Sequence, residues 1–223
     1  MRYKIEDIVA LIGARRYGNA EANIEWLLTD SRSLVFPETS LFFAIKTNIG
    51  DGHNYINELY KRGVRNFVVT KLPDKYNEKY PETNFLYVID SRKALQRLSE
   101  RHREQYNIPI IGITGSNGKT IVKEWLNQLL QPVMNVTRSP RSYNSQIGVP
   151  LSVWLLDESS QIGVFEAGIS DPGEMDALRD IIQPTIGIMV NLGNAHQENF
   201  PDKESKCREK LKLFKNCDVV IYS

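Results

Sequence analysis

Lys119 and Thr120 stand directly behind the run Ile110-Ile111-Gly112-Ile113-Thr114-Gly115-Ser116-Asn117-Gly118. An ammonium and a hydroxyl at the end of a glycine turn suit the holding of a phosphate chain. Glycine allows the tight turn that brings consecutive N–H groups to face an anion. A helix starting beside Lys119 adds unsatisfied N–H groups and a positive dipole end. In that setting Lys119 can reach the β- and γ-phosphates of ATP, and the Thr120 hydroxyl suits a Mg²⁺ ion. Gly115, Ser116, Asn117, Gly118, Lys119 and Thr120 are therefore the expected ATP-binding residues. The general motif's first glycine falls at Ile113, so the turn is served by Gly115 instead. The plain alternative is a glycine turn with a chance Lys-Thr, and the strand before it and helix after it argue against that.

Those residues need a scaffold. From about residue 107 the sequence alternates between apolar strands and helical patterns. Strands are expected at Ile110–Thr114, Val133–Thr137, Ile162–Glu166, Ile186–Asn191 and Val219–Tyr222. Helices are expected at Thr120–Leu130, Ile147–Leu156, Glu174–Ile182 and Lys203–Phe214. In the first helix Ile121, Val122, Trp125, Leu126, Leu129 and Leu130 form one apolar face. Such alternation implies a doubly wound parallel sheet with helices on both faces. Ligands of these sheets bind outside the carboxyl ends of the strands. Glu166 ends a predicted strand on that edge, where a carboxylate can hold Mg²⁺.

Residues 1–106 have a different grammar. A helix is expected from Ile5, Ile8, Val9 and Ile12, stopped by Gly13. Strands are expected at Leu41–Ile45, Asn66–Thr70 and Phe85–Ile89, and helices at Tyr55–Lys61 and Arg92–Arg103. The fold class is thus α/β: a small N-terminal α/β domain (1–106), then an incomplete doubly wound phosphate-loop domain (107–223).

Composition narrows the function classes. The net charge is +1, which gives no electrostatic case for nucleic acid or an anionic membrane. Cys207 and Cys217 lack zinc-site spacing and are too few for a disulfide framework. The opening Met1-Arg2-Tyr3-Lys4-Ile5-Glu6-Asp7 is acidic where a secretory signal needs an apolar run, and no stretch approaches the ~18 apolar residues of a membrane span. A cytoplasmic location, where ATP is available, is the expectation.

Thr114-Gly115-Ser116-Asn117-Gly118-Lys119-Thr120 closely resembles the phosphate loop of the Mur ligases of peptidoglycan synthesis. Further matches follow in the family's order: Asn144-Ser145-Gln146-Ile147-Gly148-Val149-Pro150, Glu166-Ala167-Gly168 with Gly173-Glu174-Met175, and Asn191-Leu192-Gly193-Asn194-Ala195-His196. Asp30-Ser31-Arg32, Leu41-Phe42-Phe43-Ala44 and Asp51-Gly52-His53 resemble the uridine-nucleotide-binding domain of the family. The resemblance spans nearly the whole chain. It implies ATP-dependent amide-bond formation through an acyl phosphate, with ATP and Mg²⁺ as cofactors. The Asn-x-x-Ile-Gly-Val-Pro form is most similar to members that join D-alanyl-D-alanine to UDP-N-acetylmuramoyl-tripeptide. The wording Asn194–Phe200 is similar to versions fused to an alanine racemase, which implies such a domain in the parent polypeptide.

The resemblance also assigns roles. It implies catalysis by Lys119, Glu166, His196 and Lys210, and metal binding by Thr120, Glu166 and His196. Asn191 joins the ATP-binding residues, and Asp30, Ser31, Arg32, Asn144 and Ser145 the substrate-binding ones. The local pattern is plainer. Alone, His196 reads as structural, Asp30-Ser31-Arg32 as a polar turn, and Lys210 as a solvated charge among Lys203, Lys206, Arg208, Lys212 and Lys215. The family places a carbamylated lysine at the position of Lys210, with an acid two residues later where this chain has Lys212. The family adds more central-domain sequence and a third domain, so the chain is expected to be an inactive fragment. Rival readings are a related ligase adding a diamino acid or glutamates, and a nucleotide-binding module without catalysis. A phosphate-loop switch or kinase would need a base or guanine-reading motif, and none is seen.

Overall fold

In the computed structural model, which describes residues 2–48, 50–193 and 197–222, the apolar runs read as strands pair into two separate five-stranded sheets. One lies in each of the two units into which the chain divides, residues 1–98 and 99–223.

The first unit opens with β1 (Tyr3–Lys4), α1 (Ile5–Ile12), β2 (Arg15–Tyr17), β3 (Asn23–Ile24) and β4 (Trp26–Leu28). Gly13 ends α1 in the left-handed conformation, φ 65°, as a glycine can without strain. Then come β5 (Ser40–Phe43), the short pair β6 (Lys46–Thr47) and β7 (Gly50–Asp51), α2 (Ile56–Lys61), β8 (Asn66–Val69), the single turn α3 (Tyr76–Lys79), β9 (Asn84–Tyr87) and α4 (Ser91–Arg103). The sheet order is β2-β9-β8-β5-β4, parallel except for β2 against β9. Phe42, Phe67 and Phe85 fill its core with Leu59 of α2. Strands β2 and β4 were not expected from the sequence; three residues each, they lack an apolar run long enough to stand out.

The second unit continues with β10 (Ile110–Thr114), α5 (Lys119–Leu130), β11 (Val136–Arg138), α6 (Gly148–Val153), β12 (Ile162–Glu166), α7 (Glu174–Ile182), β13 (Ile186–Met189), α8 (Lys203–Leu211) and β14 (Val219–Tyr222). All five strands run parallel, in the order β11-β12-β10-β13-β14. On one face Ile111, Ile113, Ile162 and Val164 pack under Val122, Leu126 and Leu130 of α5. On the other, Ile110 and Phe165 meet α6 and α7, with Leu213 and Phe214 beyond α8. This is the expected double winding. The register sets Ile113 beside Glu166 and Thr114 beside Met189, so the phosphate loop leaves the sheet between two neighbouring strand ends.

Several expected boundaries move, those of β11, β13, α6 and α8 among them. β11 begins at Val136 because Val133 and Met134 close the end of α5, both donating to Leu130 O. β13 ends at Met189 because Asn191 turns to meet the phosphate loop, Ser116 N donating to Asn191 O at 3.0 Å. α6 is confined to Gly148–Val153, and α8 stops at Leu211, with a 3₁₀ turn at Lys212–Phe214. The single apolar face of α5 is corrected too: Ile121, Trp125 and Leu129 point to solvent, 56%, 62% and 74% exposed, because their row lies about 100° round the helix from the stripe of Val122, Leu126 and Leu130 that meets the sheet. No described helix is long and apolar enough to cross a membrane.

Candidate functional site

The loop between β10 and α5 takes its shape from two glycines. Gly115 has φ 145° and Gly118 φ 83°, a region that side chains other than hydrogen rarely adopt. A Cβ at Gly115 would also stand 3.0 Å from the backbone of Asn191. Asn191 braces the loop from the next strand: its carbonyl accepts from Ser116 N, and its Oδ1 accepts from Asn117 N at 2.9 Å. Two of the loop N–H groups expected to face phosphate are thus engaged by Asn191. The N–H groups of the first turn of α5 have no intrahelical acceptor, so they are the donors left for an anion, together with Lys119.

Lys119 donates to Gly115 O at 2.8 Å. Burial pushes its ammonium pKa down, opposed by the charge of Glu166. Lys210 corrects the reading from pattern: it is buried, and its ammonium also reaches Gly115 O, at 3.4 Å. Burial first, then the charges of Lys119 and Lys206, bring Lys210 down to about 8. Lys206, likewise buried, donates to Gly193 O at 2.7 Å, the carbonyl that Ser116 Oγ also meets at 3.2 Å. Three ammonium groups, those of Lys206 and Lys210 buried and that of Lys119 half-buried, therefore converge on the loop and its brace. α8 is held there partly by Glu209, whose Oε1 accepts from Gly173 N and Met175 N at the start of α7.

A concavity of about 130 Å³ lies beside this cluster, lined by Gly115, Ser116 and Lys119, by Asn144 and Ser145, by Gly168 to Ser170 and by Lys210. Asn144 is fixed by close packing: Gly168 N donates to Asn144 O at 2.7 Å, and a Cβ on Gly168 would stand 3.0 Å from Asn144 Oδ1.

Glu166 is fully buried. Its Oε2 accepts from Thr120 Oγ1 at 3.1 Å and from Asn144 Nδ2 at 3.4 Å, while Lys123 Nζ stands 3.0 Å from Oε1. The Thr120–Glu166 pair fits a Mg²⁺ ion. Oxygens in adjacent octahedral positions at about 2.0–2.1 Å from the metal stand about 3 Å apart, close to the spacing seen. Among the described residues there is no cluster of three or more His, Cys, Asp or Glu, so the site is one carboxylate and one hydroxyl beside the phosphate cradle. His196 lies outside the described residues.

Asp30, Ser31 and Arg32 lie in the first unit and form a self-contained turn. Arg32 donates from its backbone N (3.0 Å) and Nε (2.9 Å) to Asp30 Oδ1, and from Nη2 to Oδ2 at 2.6 Å. Its side chain is 88% exposed. Ser31 is buried, its carbonyl accepting from Arg62 at 2.7 Å. The guanidinium beside Asp30 holds that carboxyl below its ordinary value.

Sequence reasoning passed over Lys123 and Lys206. The available signal was helical spacing: Lys123 follows Thr120 by three residues and Lys206 precedes Lys210 by four, placing each on the face of a residue already singled out.

Residues 113–222 match the Mur ligase middle domain. Over 99% of its length the chain is 33% identical to the UDP-N-acetylmuramoyl-tripeptide–D-alanyl-D-alanine ligase of Borreliella burgdorferi, covering 50% of that protein. The chain belongs to the Mur ligase family. Solved members of the family share its fold. MurF from Acinetobacter baumannii superposes with a TM-score of 0.89 at 27% identity, over 100% of this chain and 49% of that one. MurF ligase from Thermotoga maritima in complex with ADP gives 0.76 at 25% identity, over 89% and 45%. The chain spans about half the length of the curated relatives it matches.

Proposed function

We propose that this chain is the nucleotide-binding part of an ATP-dependent carbon–nitrogen ligase, one that joins D-alanyl-D-alanine to UDP-N-acetylmuramoyl-tripeptide in peptidoglycan synthesis. The observation that carries the reading is the convergence of the Gly115–Thr120 loop, Lys119 and Glu166 on one edge of a parallel sheet. The substrates are those named for the Borreliella relative, and ADP is the ligand of the Thermotoga one. Residues 107–223 would hold ATP and residues 1–106 the uridine nucleotide, with Asp30, Ser31 and Arg32 on the substrate side. The place of action is the cytoplasm, where ATP is available. A racemase domain in the parent polypeptide rests on the wording of Asn194–Phe200 alone.

In this mechanism the γ-phosphoryl group of ATP passes to the terminal carboxylate of the tripeptide, and ADP leaves. The amine of D-alanyl-D-alanine attacks the acyl carbon, loses a proton and expels inorganic phosphate, leaving an amide. Phosphoryl transfer asks the protein for alignment and charge neutralisation more than covalent help. Lys119 and the first turn of α5 supply both at the β- and γ-phosphates. Lys210 brings a second cation to the same concavity, beside Asn144 and Ser145. Thr120 and Glu166 would hold Mg²⁺, which neutralises phosphate charge when bound; His196 is a further metal and catalytic candidate.

Calorimetry of the purified chain with ADP and Mg²⁺ tests the reading. Saturable binding that disappears in K119A is the expected result. Binding that survives K119A undiminished overturns it.

A further inference from the structure

Lys123 is a buried charge to which the nucleotide reading gives no task. Its side chain is 0% exposed, as is that of Glu166, and the two meet at 3.0 Å. Its ammonium also donates to the Arg141 carbonyl and lies 3.2 Å from Glu124 Oε1, a carboxylate shared with Arg138. A buried ion pair seldom repays its desolvation as stability, and an apolar side chain in its place often serves as well or better. The two oxygens of Glu166 are used unequally. Oε1 faces Lys123 without an aligned hydrogen bond, whereas Oε2 faces Thr120 and Asn144. Both Thr120 and Lys123 reach Glu166 from one face of α5, three residues apart.

We infer that Lys123 is a positioning residue that restricts the cation site to a small ion by occupying Oε1, so that Glu166 offers Oε2 alone. The inference rests on the nucleotide–Mg²⁺ reading. Mg²⁺ takes six oxygens at about 2.0–2.1 Å in near-ideal octahedral geometry, and one oxygen from each carboxylate suits it. Ca²⁺ sits at about 2.3–2.6 Å with six to eight ligands and accepts both oxygens of a carboxylate. With Oε1 held by an ammonium, the larger ion loses a ligand that the smaller one does not need.

The test is calorimetric titration of ADP into the purified chain with Mg²⁺, with Ca²⁺ and with no divalent ion. In K123M the preference for Mg²⁺ over Ca²⁺ falls about tenfold or more, the range for groups that orient a metal ligand. Binding of ADP without divalent ion stays as it was, which a general loss of structure would not allow. An unchanged ion preference overturns the inference. Because K123M leaves Glu166 buried and unpaired, E166Q and K123M/E166Q form a second comparison. Lys123 acts through Glu166, so adding K123M to E166Q leaves the ion preference where E166Q put it; a further shift overturns the inference. Absence of ADP binding to the unmodified chain under every condition refutes the nucleotide reading and this inference with it. Binding with an unaltered preference in the variant refutes this inference alone.

Discussion

The phosphate loop and the Asp30–Arg32 turn are both short polar motifs, yet the structure treats them in opposite ways. The turn satisfies itself. Arg32 bonds the carboxylate two residues before it and otherwise faces solvent. The loop is completed from a distance: Asn191, Lys206, Lys210 and Glu166 arrive on three other segments. A constellation drawn from several elements exists only when the sheet is built, so its residues answer to each other and to the fold. A local turn answers chiefly to itself.

That contrast can be broken by substitution. The largest effect is expected at Lys119. K119A should cost about 2–5 kcal/mol of ADP–Mg²⁺ binding, the range for truncating a buried charged partner. R32A should leave ADP binding within about 0.5 kcal/mol, as surface changes usually do. Equal losses in the two variants by calorimetry would erase the distinction.

Lys210 sharpens it through pH. Burial and the neighbouring lysines lower its folded value from 10.5 to about 8. Below about 8 both folded and unfolded chains carry the proton, and the folded one bears the full cost of the buried charge. Between 8 and 10.5 only the unfolded chain is protonated, so stability rises with pH. K210M should therefore be more stable than the parent by up to about 3–4 kcal/mol near neutral pH, at ~1.4 kcal/mol per unit. The gap should close as pH approaches 10.5, as read by urea unfolding. A gap that is constant with pH would mean that the ammonium is solvated.

N191A removes the acceptor of Asn117 N and with it one brace of the loop, and should weaken ADP binding by about 0.5–1.5 kcal/mol, the net worth of one hydrogen bond. Smaller than K210M in its effect on stability, D30A removes a cap from a single turn and should cost about 0.5–1 kcal/mol. Arg32 holds the Asp30 carboxyl below its ordinary value, so this contribution is present at neutral pH. It fades as pH falls below the ordinary carboxylate range toward the lowered value. Acid titration of D30A against the parent measures it.

Sequence was a good guide where one element sufficed. β10, β12, α7 and β14 lie where alternating apolar runs and flanking breakers put them; β10 and β12 are buried along their whole length, and a buried parallel strand must be almost wholly apolar. The phosphate loop was readable because its glycines, lysine and threonine are consecutive. Lys123, Lys206 and Lys210 were not, since periodicity counts a lysine as outward-facing and burial is decided by partners on other segments. The same limit explains α5. Its residues Ile121, Trp125 and Leu129 are as apolar as Val122, Leu126 and Leu130, and only the side of the helix turned to the sheet separates exposed from covered.

The carbonyl of Gly115, where Lys119 and Lys210 both rest, bears on discrimination among anions. A chloride ion reaching the loop would have to draw two side chains off an internal perch while offering a single charge. The tail of a nucleoside di- or triphosphate brings enough charge to recruit both together. The shared perch thus favours an anion of higher charge over common salt, and the two side chains are the only parts that move.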